Sequence, residues 1–245
     1  VMRFRYLIVA VAILASGIVA AAGGGEGLEH ADINIHDKAS LQRGAALYTN
    51  YCLGCHSMQY LRYNRLTEDL GLSEEQIQEF LLYGDQEVTD YLANTMDAGE
   101  AEEWFGIAPP DLTLTARSRG VDWIYSYLKG FYLTEDGWNN TVLENAAMPH
   151  VLWELQGIQR PVIESHTDDE GVEHVEIVGL ELDEPGKLSP EEYDAHMKDL
   201  VAFMSYAAEP AALERERLGI WVLLFLVVFT MLAWLLYHEF WKDVK

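Results

Sequence analysis

Cys52-Leu53-Gly54-Cys55-His56 is the one segment whose residue types and spacing dictate a specific chemistry. The spacing is that of a covalent c-type haem site, C-x-x-C-H. Two thiols three positions apart can add to the two vinyl groups on one edge of a porphyrin. The adjacent histidine can then turn its imidazole to the iron as proximal ligand. The same pair could instead form a redox disulfide, but that use needs a βαβ context, which this neighbourhood lacks. A zinc site would need further soft ligands, and the chain has two cysteines in all. The residues therefore point to a covalent haem c with Cys52 and Cys55 as its anchors and His56 on the iron.

An electron-transfer haem needs a second axial ligand, and thioether sulfur favours the reduced iron. The methionines beyond the motif are Met58, Met96, Met148, Met197, Met204 and Met231. Met58 is too close to His56 to reach the opposite haem face. Met197 and Met204 lie on an amphipathic helical face, where packing explains them. Met231 falls in an apolar run. Met96 and Met148 remain, and Met148 precedes Pro149, whose fixed φ suits a ligand-carrying loop. His150 is the competitor, and two histidine ligands would make a lower-potential haem. Arg117 and Arg119 are candidates to face the propionates, since cations are scarce in this part of the chain.

These groups need a scaffold. Ser73-Glu74-Glu75-Gln76 is a capping-box pattern that opens a helix, with Gly84 as its expected stop. Ser189-Pro190-Glu191-Glu192 opens another. There Tyr193, Met197, Leu200, Val201 and Met204 recur on a single helical face. Residues 39–51 and 121–132 read as shorter helices. Glu173 to Leu182 alternates enough for a small hairpin. The acidic stretch from Glu164 to Glu184, with Asp168-Asp169-Glu170-Gly171, reads as a solvated excursion, with partner docking as the sharper alternative. The fold class is thus mainly α: a cytochrome c-like haem domain with a loop or small β excursion, plus one C-terminal transmembrane helix.

Two apolar ends bound this domain. Arg3 and Arg5 precede an uncharged run that ends in Ala20-Ala21-Ala22, the pattern of a secretory signal peptide over 1–22. Leu218 to Tyr237 is uncharged over a length that spans ~30 Å as a helix, matching a bilayer core. Trp221 sits near one end, and Trp234, Tyr237 and Trp241 near the other, as an aromatic belt. The expected organisation is a signal peptide (1–22), an exported domain (23–213) and a membrane anchor (214–245) with a short cytoplasmic tail.

The 245 residues include 16 Lys+Arg and 40 Asp+Glu, a net charge of -24. Two of the basic residues belong to the leader, and the segment from Glu214 onward carries four charges of each sign. The exported domain therefore holds 10 basic and 36 acidic residues. So negative a surface repels nucleic acid and favours a cationic partner, through steering that weakens with salt.

Several blocks resemble the cytochrome c1 family, the haem subunits of cytochrome bc1 complexes (ubiquinol–cytochrome c reductases). They are Cys52-Leu53-Gly54-Cys55-His56-Ser57-Met58 followed by Tyr60 and Tyr63; Ala108-Pro109-Pro110-Asp111-Leu112 followed by Ala116-Arg117-Ser118-Arg119; Met148-Pro149; and Tyr206-Ala207-Ala208-Glu209-Pro210 before the terminal anchor. They keep the family's order and cover most of the exported domain. The resemblance implies Met148 as distal ligand, Arg119 near a propionate and Pro110 in the haem pocket. Trp123 falls where many relatives carry Tyr, and it offers an N–H donor only. The Phe-Pro-Gly approach to the distal Met is replaced by Leu143-Glu144-Asn145-Ala146-Ala147.

The resemblance further implies an electron-transfer subunit of respiratory complex III rather than a catalyst by itself. It would take one electron from the Rieske iron–sulfur protein and pass it to a soluble cytochrome c, beside cytochrome b in a dimeric complex. Its place would be the bacterial inner membrane, single-pass, with the haem domain periplasmic. Two alternatives stay open on the residues: a membrane-tethered haem enzyme or sensor with an open distal site, and a thiol/disulfide membrane protein.

Overall fold

The computed structural model describes residues 27–167 and 173–243. The expected signal peptide, Asp168-Asp169-Glu170-Gly171 and Lys245 lie outside the described residues.

The chain divides into two compact units, between Ala208 and Glu209. In the first, α1 (Lys38–Tyr51) leads through the C-x-x-C-H turn into β1 (Met58–Arg62), α2 (Tyr63–Leu70), α3 (Glu74–Phe80), β2 (Tyr91–Leu92) and α4 (Ala98–Phe105). Then come α5 (Thr115–Ser118), α6 (Val121–Lys129), the hairpin β3 (Phe131–Thr134) and β4 (Gly137–Asn140), and α7 (Trp153–Gln156). A long hairpin, β5 (Gly157–Thr167) and β6 (Glu173–Pro185), precedes α8 (Pro190–Ala208). The described strands pair only as antiparallel two-stranded ribbons.

Helix α8 is the spine of this unit and packs on α1, α5 and α6. Its predicted face is the buried one: Tyr193, Met197, Leu200, Val201 and Met204 are all inside. Ser189 opens it as expected, its hydroxyl accepting from Glu192 N and its own N–H donating to the Glu192 carboxylate. Burying such a stripe supplies most of a helix's stability in a protein. Helix α1 can approach closely because Gly44 lies against the Asp199 carbonyl of α8. Arg43 then grips Asp199 with two hydrogen bonds, at 2.6 and 2.9 Å, and the Ser40 hydroxyl adds a third at 2.6 Å.

The Ser73 capping box forms, with Gln76 as its reciprocal partner. The helix stops at Phe80, short of Gly84, as Leu81 turns inward and becomes buried. Helix α6 ends at Lys129 rather than 132, because Phe131 already pairs with Asn140 across β3–β4. The acidic excursion is more ordered than its sequence suggested. It is a hairpin of 11- and 13-residue strands, with register shifts between Ile158 and Gln159 and between Val162 and Ile163.

The second unit is α9 (Ala212–Phe240), 29 residues long with a mean hydropathy of 2.6 over its most apolar stretch. It is long and apolar enough to cross a membrane, and its Leu, Val and Phe side chains lie on the outside. Isolated from lipid, such a surface would be a large exposed apolar patch.

Candidate haem site

The C-x-x-C-H segment is a turn at the end of α1, held from several sides. Cys52 N bonds the Tyr48 carbonyl, closing the helix, and the Cys52 carbonyl accepts from both Cys55 N (3.0 Å) and His56 N (2.8 Å). Buried Tyr48 donates its hydroxyl hydrogen to the His56 carbonyl at 2.7 Å. Ser57 continues the anchorage: its carbonyl accepts from Leu112 N and its hydroxyl from Asn94 N. Both cysteines are free and half-buried. Burial, and then the neighbouring Cys55, push the Cys52 thiol up to about 12.

His56 Nδ1 lies 2.8 Å from the Pro110 carbonyl oxygen. A carbonyl only accepts, so Nδ1 carries the hydrogen and the Nε2 lone pair is left for a metal. Burial lowers the His56 pKa against the opposing pull of that carbonyl, which favours the neutral ring. Pro110 is itself fixed through Asp111. One Asp111 oxygen accepts from Gln59 N, and the other from Thr113 N and the Thr113 hydroxyl. Two free thiols, a neutral histidine with its tautomer set and an open Nε2 are the donor set that a covalent haem requires. The residues present fit the group. Among the described residues no cluster of three or more His, Cys, Asp or Glu offers a rival metal site.

The methionines separate by environment. Met58, Met197 and Met204 are core residues. Met231 lies in α9. Met96 shares a cavity of about 130 Å³ with Cys55, Pro109 and Asp111. Met148 is half-buried in the irregular stretch between β4 and α7. His150, two residues on, is fully buried, and burial lowers its pKa to about 4. Its ring stacks on Phe131 at 4.9 Å and meets Trp138 edge-on at 5.2 Å.

Arg119 is exposed, its guanidinium 5.1 Å over the Trp123 ring. Trp123 stacks on Tyr127 at 5.0 Å, and Tyr127 meets Phe131 edge-on at the same distance. The i, i+4 spacing of Arg119, Trp123, Tyr127 and Phe131 builds a continuous wall that ends on His150. Trp123 also lines a cleft of about 1080 Å³ with Lys129, Val142, Ile177 and Leu182. None of Cys52, Cys55 and His56 lines that cleft. The structure thus unites the C-x-x-C-H turn with Pro110, and Arg119 with Trp123, as two separate groupings.

Sequence reasoning missed Tyr48, Asp111 and Asn140 as supports. Asp111-Leu112-Thr113 did carry a signal, because Asp two residues before Thr is an Asx-turn pattern. Asn140 carried the same kind of local signal, its Oδ1 accepting from Val142 N and Leu143 N, whereas Tyr48 carried none, its partner being made by the fold.

The Cytochrome C1 family model matches residues 29–155 and 186–244. The gap, 156–185, coincides with the β5–β6 hairpin. The chain is 49% identical to cytochrome c1 of Allochromatium vinosum over 235 residues, covering 95% of this chain and 96% of that one. It is 44% identical over 237 residues to a Nitrosomonas europaea protein named ammonia monooxygenase gamma subunit, with coverage of 95% and 96%. Cytochrome c1 of Rhodospirillum rubrum is 28% identical over 278 residues, covering 96% and 97%. Proteins of the matched family carry covalent haem c and are the haem subunits of bc1 complexes. From the haem-binding turn to the terminal apolar helix, the chain belongs to the cytochrome c1 family.

Proposed function

We propose that Cys52 and Cys55 hold the haem by thioether bonds, that His56 Nε2 is the proximal ligand and that Met148 is the distal one. The observation that carries this reading is the His56–Pro110 hydrogen bond, which ties down Nδ1 and leaves the Nε2 lone pair for a metal, while burial favours the neutral ring. Met58, Met197 and Met204 are committed to the core and Met231 to α9; of Met96 and Met148, Met148 is preferred because it precedes Pro149 in an irregular loop, as in the family's distal-ligand segment. The bound haem supplies a reversible one-electron couple. The chain binds it, fixes both axial donors and shields it from water. Thioether ligation raises the potential.

Arg119 compensates propionate charge, its planar cation oriented by Trp123. Pro110 and Trp123 complete the pocket wall. The chain stands between the Rieske iron–sulfur protein as donor and a soluble cytochrome c as acceptor, next to cytochrome b in a dimeric complex. Helix α9 is the single-pass anchor in a bacterial inner membrane, with the haem domain on the periplasmic side and residues 1–22 as the signal that exports it. The 36 acidic residues of the exported domain favour a basic acceptor.

A redox titration in native membranes tests this, comparing wild type with Met148→His. The expected result is a high-potential haem in the wild type and a fall on the order of a few hundred millivolts in the variant, with haem retained. A wild-type potential that is already low, and that the substitution leaves unmoved, would take Met148 off the iron.

A further inference from the structure

Between β4 and α7 the chain has no regular element to hold Met148. A ligand on such a loop reaches its metal only if the loop is fixed at both ends, because a free loop spreads over many conformations.

Both ends are fixed here. At the start, Asn140 is 1% exposed and makes a small hub. Its Nδ2 donates to the Tyr127 carbonyl at 2.8 Å, and its Oδ1 accepts from Val142 N at 2.8 Å and Leu143 N at 3.2 Å. Asn139 Oδ1 accepts from Asn145 N at 2.8 Å, where Asn145 has a φ of 58°, a left-handed turn that Asn tolerates. At the far end His150 is 2% exposed, with one face on Phe131 (interplanar 7°) and an edge contact to Trp138 (76°). Pro149 stands between Met148 and this anchor and restricts the join.

The His150 ring is held by packing on Phe131 and Trp138, with the Gln156 side chain beside it. Its Nε2 and Gln156 Oε1 are both buried without a partner at hydrogen-bonding geometry. The Gln156 amide nitrogen is already committed to the Lys129 carbonyl at 3.0 Å. For His150 to ligate iron it would have to leave both ring contacts.

We propose that Asn140 and His150 are positioning residues that clamp the Met148 loop to the wall formed by α6, β3 and β4. This rests on Met148 being the distal ligand. The clamp takes the place of the Phe-Pro-Gly approach that the sequence lacks. His150 acts through ring stacking, and Asn140 through its three backbone bonds.

The test uses the full haem-loaded chain in native membranes as wild type, His150→Phe, His150→Ala and Asn140→Ala. The readouts are the ferric methionine–iron charge-transfer band, carbon monoxide binding to the ferrous form, and the midpoint potential. Wild type and His150→Phe should show the band and exclude carbon monoxide. His150→Ala and Asn140→Ala should keep covalent haem, lose most of the band and bind carbon monoxide. If an alanine variant does not accumulate, His150→Leu, which fills the slot without a flat face, should show the same loss. Alanine variants that keep the band at full strength would overturn the clamp. So would His150→Phe losing as much as His150→Ala, since the ring nitrogen would then be the working part. A wild type without the band would remove the Met148 reading itself, and the clamp with it.

Discussion

His56 donates its Nδ1 hydrogen to the Pro110 carbonyl across 54 positions of sequence, at 2.8 Å. That bond joins the C-x-x-C-H turn to the Pro-Pro-Asp-Leu loop, two blocks that the sequence presents as separate motifs. Its geometry is only as firm as the loop bearing the carbonyl, and Asp111 holds that loop with three hydrogen bonds between 2.6 and 2.9 Å.

Asp111→Ala should therefore cost about 2–3 kcal/mol of stability, as hydrogen bonds to a charged acceptor are lost together and their donors are stranded. Denaturant unfolding of the haem-loaded protein would measure it. Asp111→Asn, which keeps one acceptor oxygen, should lose less than half as much. Equal losses in the two variants would mean that charge, and not the bonding pattern, holds the loop.

Two glycines near the haem-binding turn should behave oppositely. A Cβ on Gly44 would lie 2.1 Å from the Asp199 carbonyl oxygen and 2.7 Å from Phe203 Cβ, so Gly44→Ala must push α1 off α8. The expected cost is on the order of 3 kcal/mol, at the upper end for overpacking. A Cβ on Gly54, inside C-x-x-C-H, meets nothing within 4 Å. Gly54→Ala should stay within about 0.5 kcal/mol of wild type. Thermal melting of both variants with haem attached gives the comparison.

The contrast shows what the sequence could and could not say. The chemistry of Cys52, Cys55 and His56 was legible because covalent haem attachment fixes residue type and spacing locally. Helix α8 was legible because its buried face repeats at helical period and Ser189 marks its start. The β5–β6 hairpin was legible only in part: the alternation of Glu173 to Leu182 pointed to it, but not to its full length. Pro161, Gly179 and two register shifts interrupt its alternation, and Val162, Ile163, Val175 and Ile177 are exposed, so no core imposes a period on it. Tyr48 was hidden as a support because its role exists only once the fold brings the His56 carbonyl to it, and Asp111 and Asn140 showed only their local turns and not the Gln59 and Tyr127 backbone they also hold. The stop of α3 was misread for a similar reason: burial of Leu81 ended the helix before Gly84 could.

Acid should loosen the joint between α6 and α8. Burial disfavours the Asp194 charge, but hydrogen bonds from Lys198, Tyr125 and Lys129 outweigh it and hold the carboxyl well below the usual range. A depressed folded-state pKa contributes stability that is fully present above the unfolded value, ~3.9, and is lost as pH falls toward the folded one. Asp194→Asn should thus be less stable than wild type near neutrality, and the two melting curves should converge below about pH 4. A constant gap down to the lowest pH studied would show that Asp194 contributes through shape and not through charge.

The hairpin should be separable from the haem chemistry. The family match passes over 156–185, and the hairpin closes at its base, where Gly186 lies against the Gly157 backbone. Pro161 pairs with Leu180 and Val162 with Gly179. Replacing 162–179 by a two-residue Asn-Gly turn therefore keeps the base pairs and the Gln159 and Arg160 contacts to β3. Covalent haem and midpoint potential should remain at wild-type values. The same change removes Glu164, Asp168, Asp169, Glu170, Glu173 and Glu176, six of the 36 acidic residues between positions 23 and 213, and no Lys or Arg. If those charges steer a basic acceptor, electron transfer should slow at low ionic strength. The gap should close as salt shortens the screening length to about 3 Å at 1 M. Rates that match wild type at every salt concentration would free the hairpin of any steering role. A shifted potential would instead tie it to the haem pocket, through Ile177, which lines a cleft with Trp123.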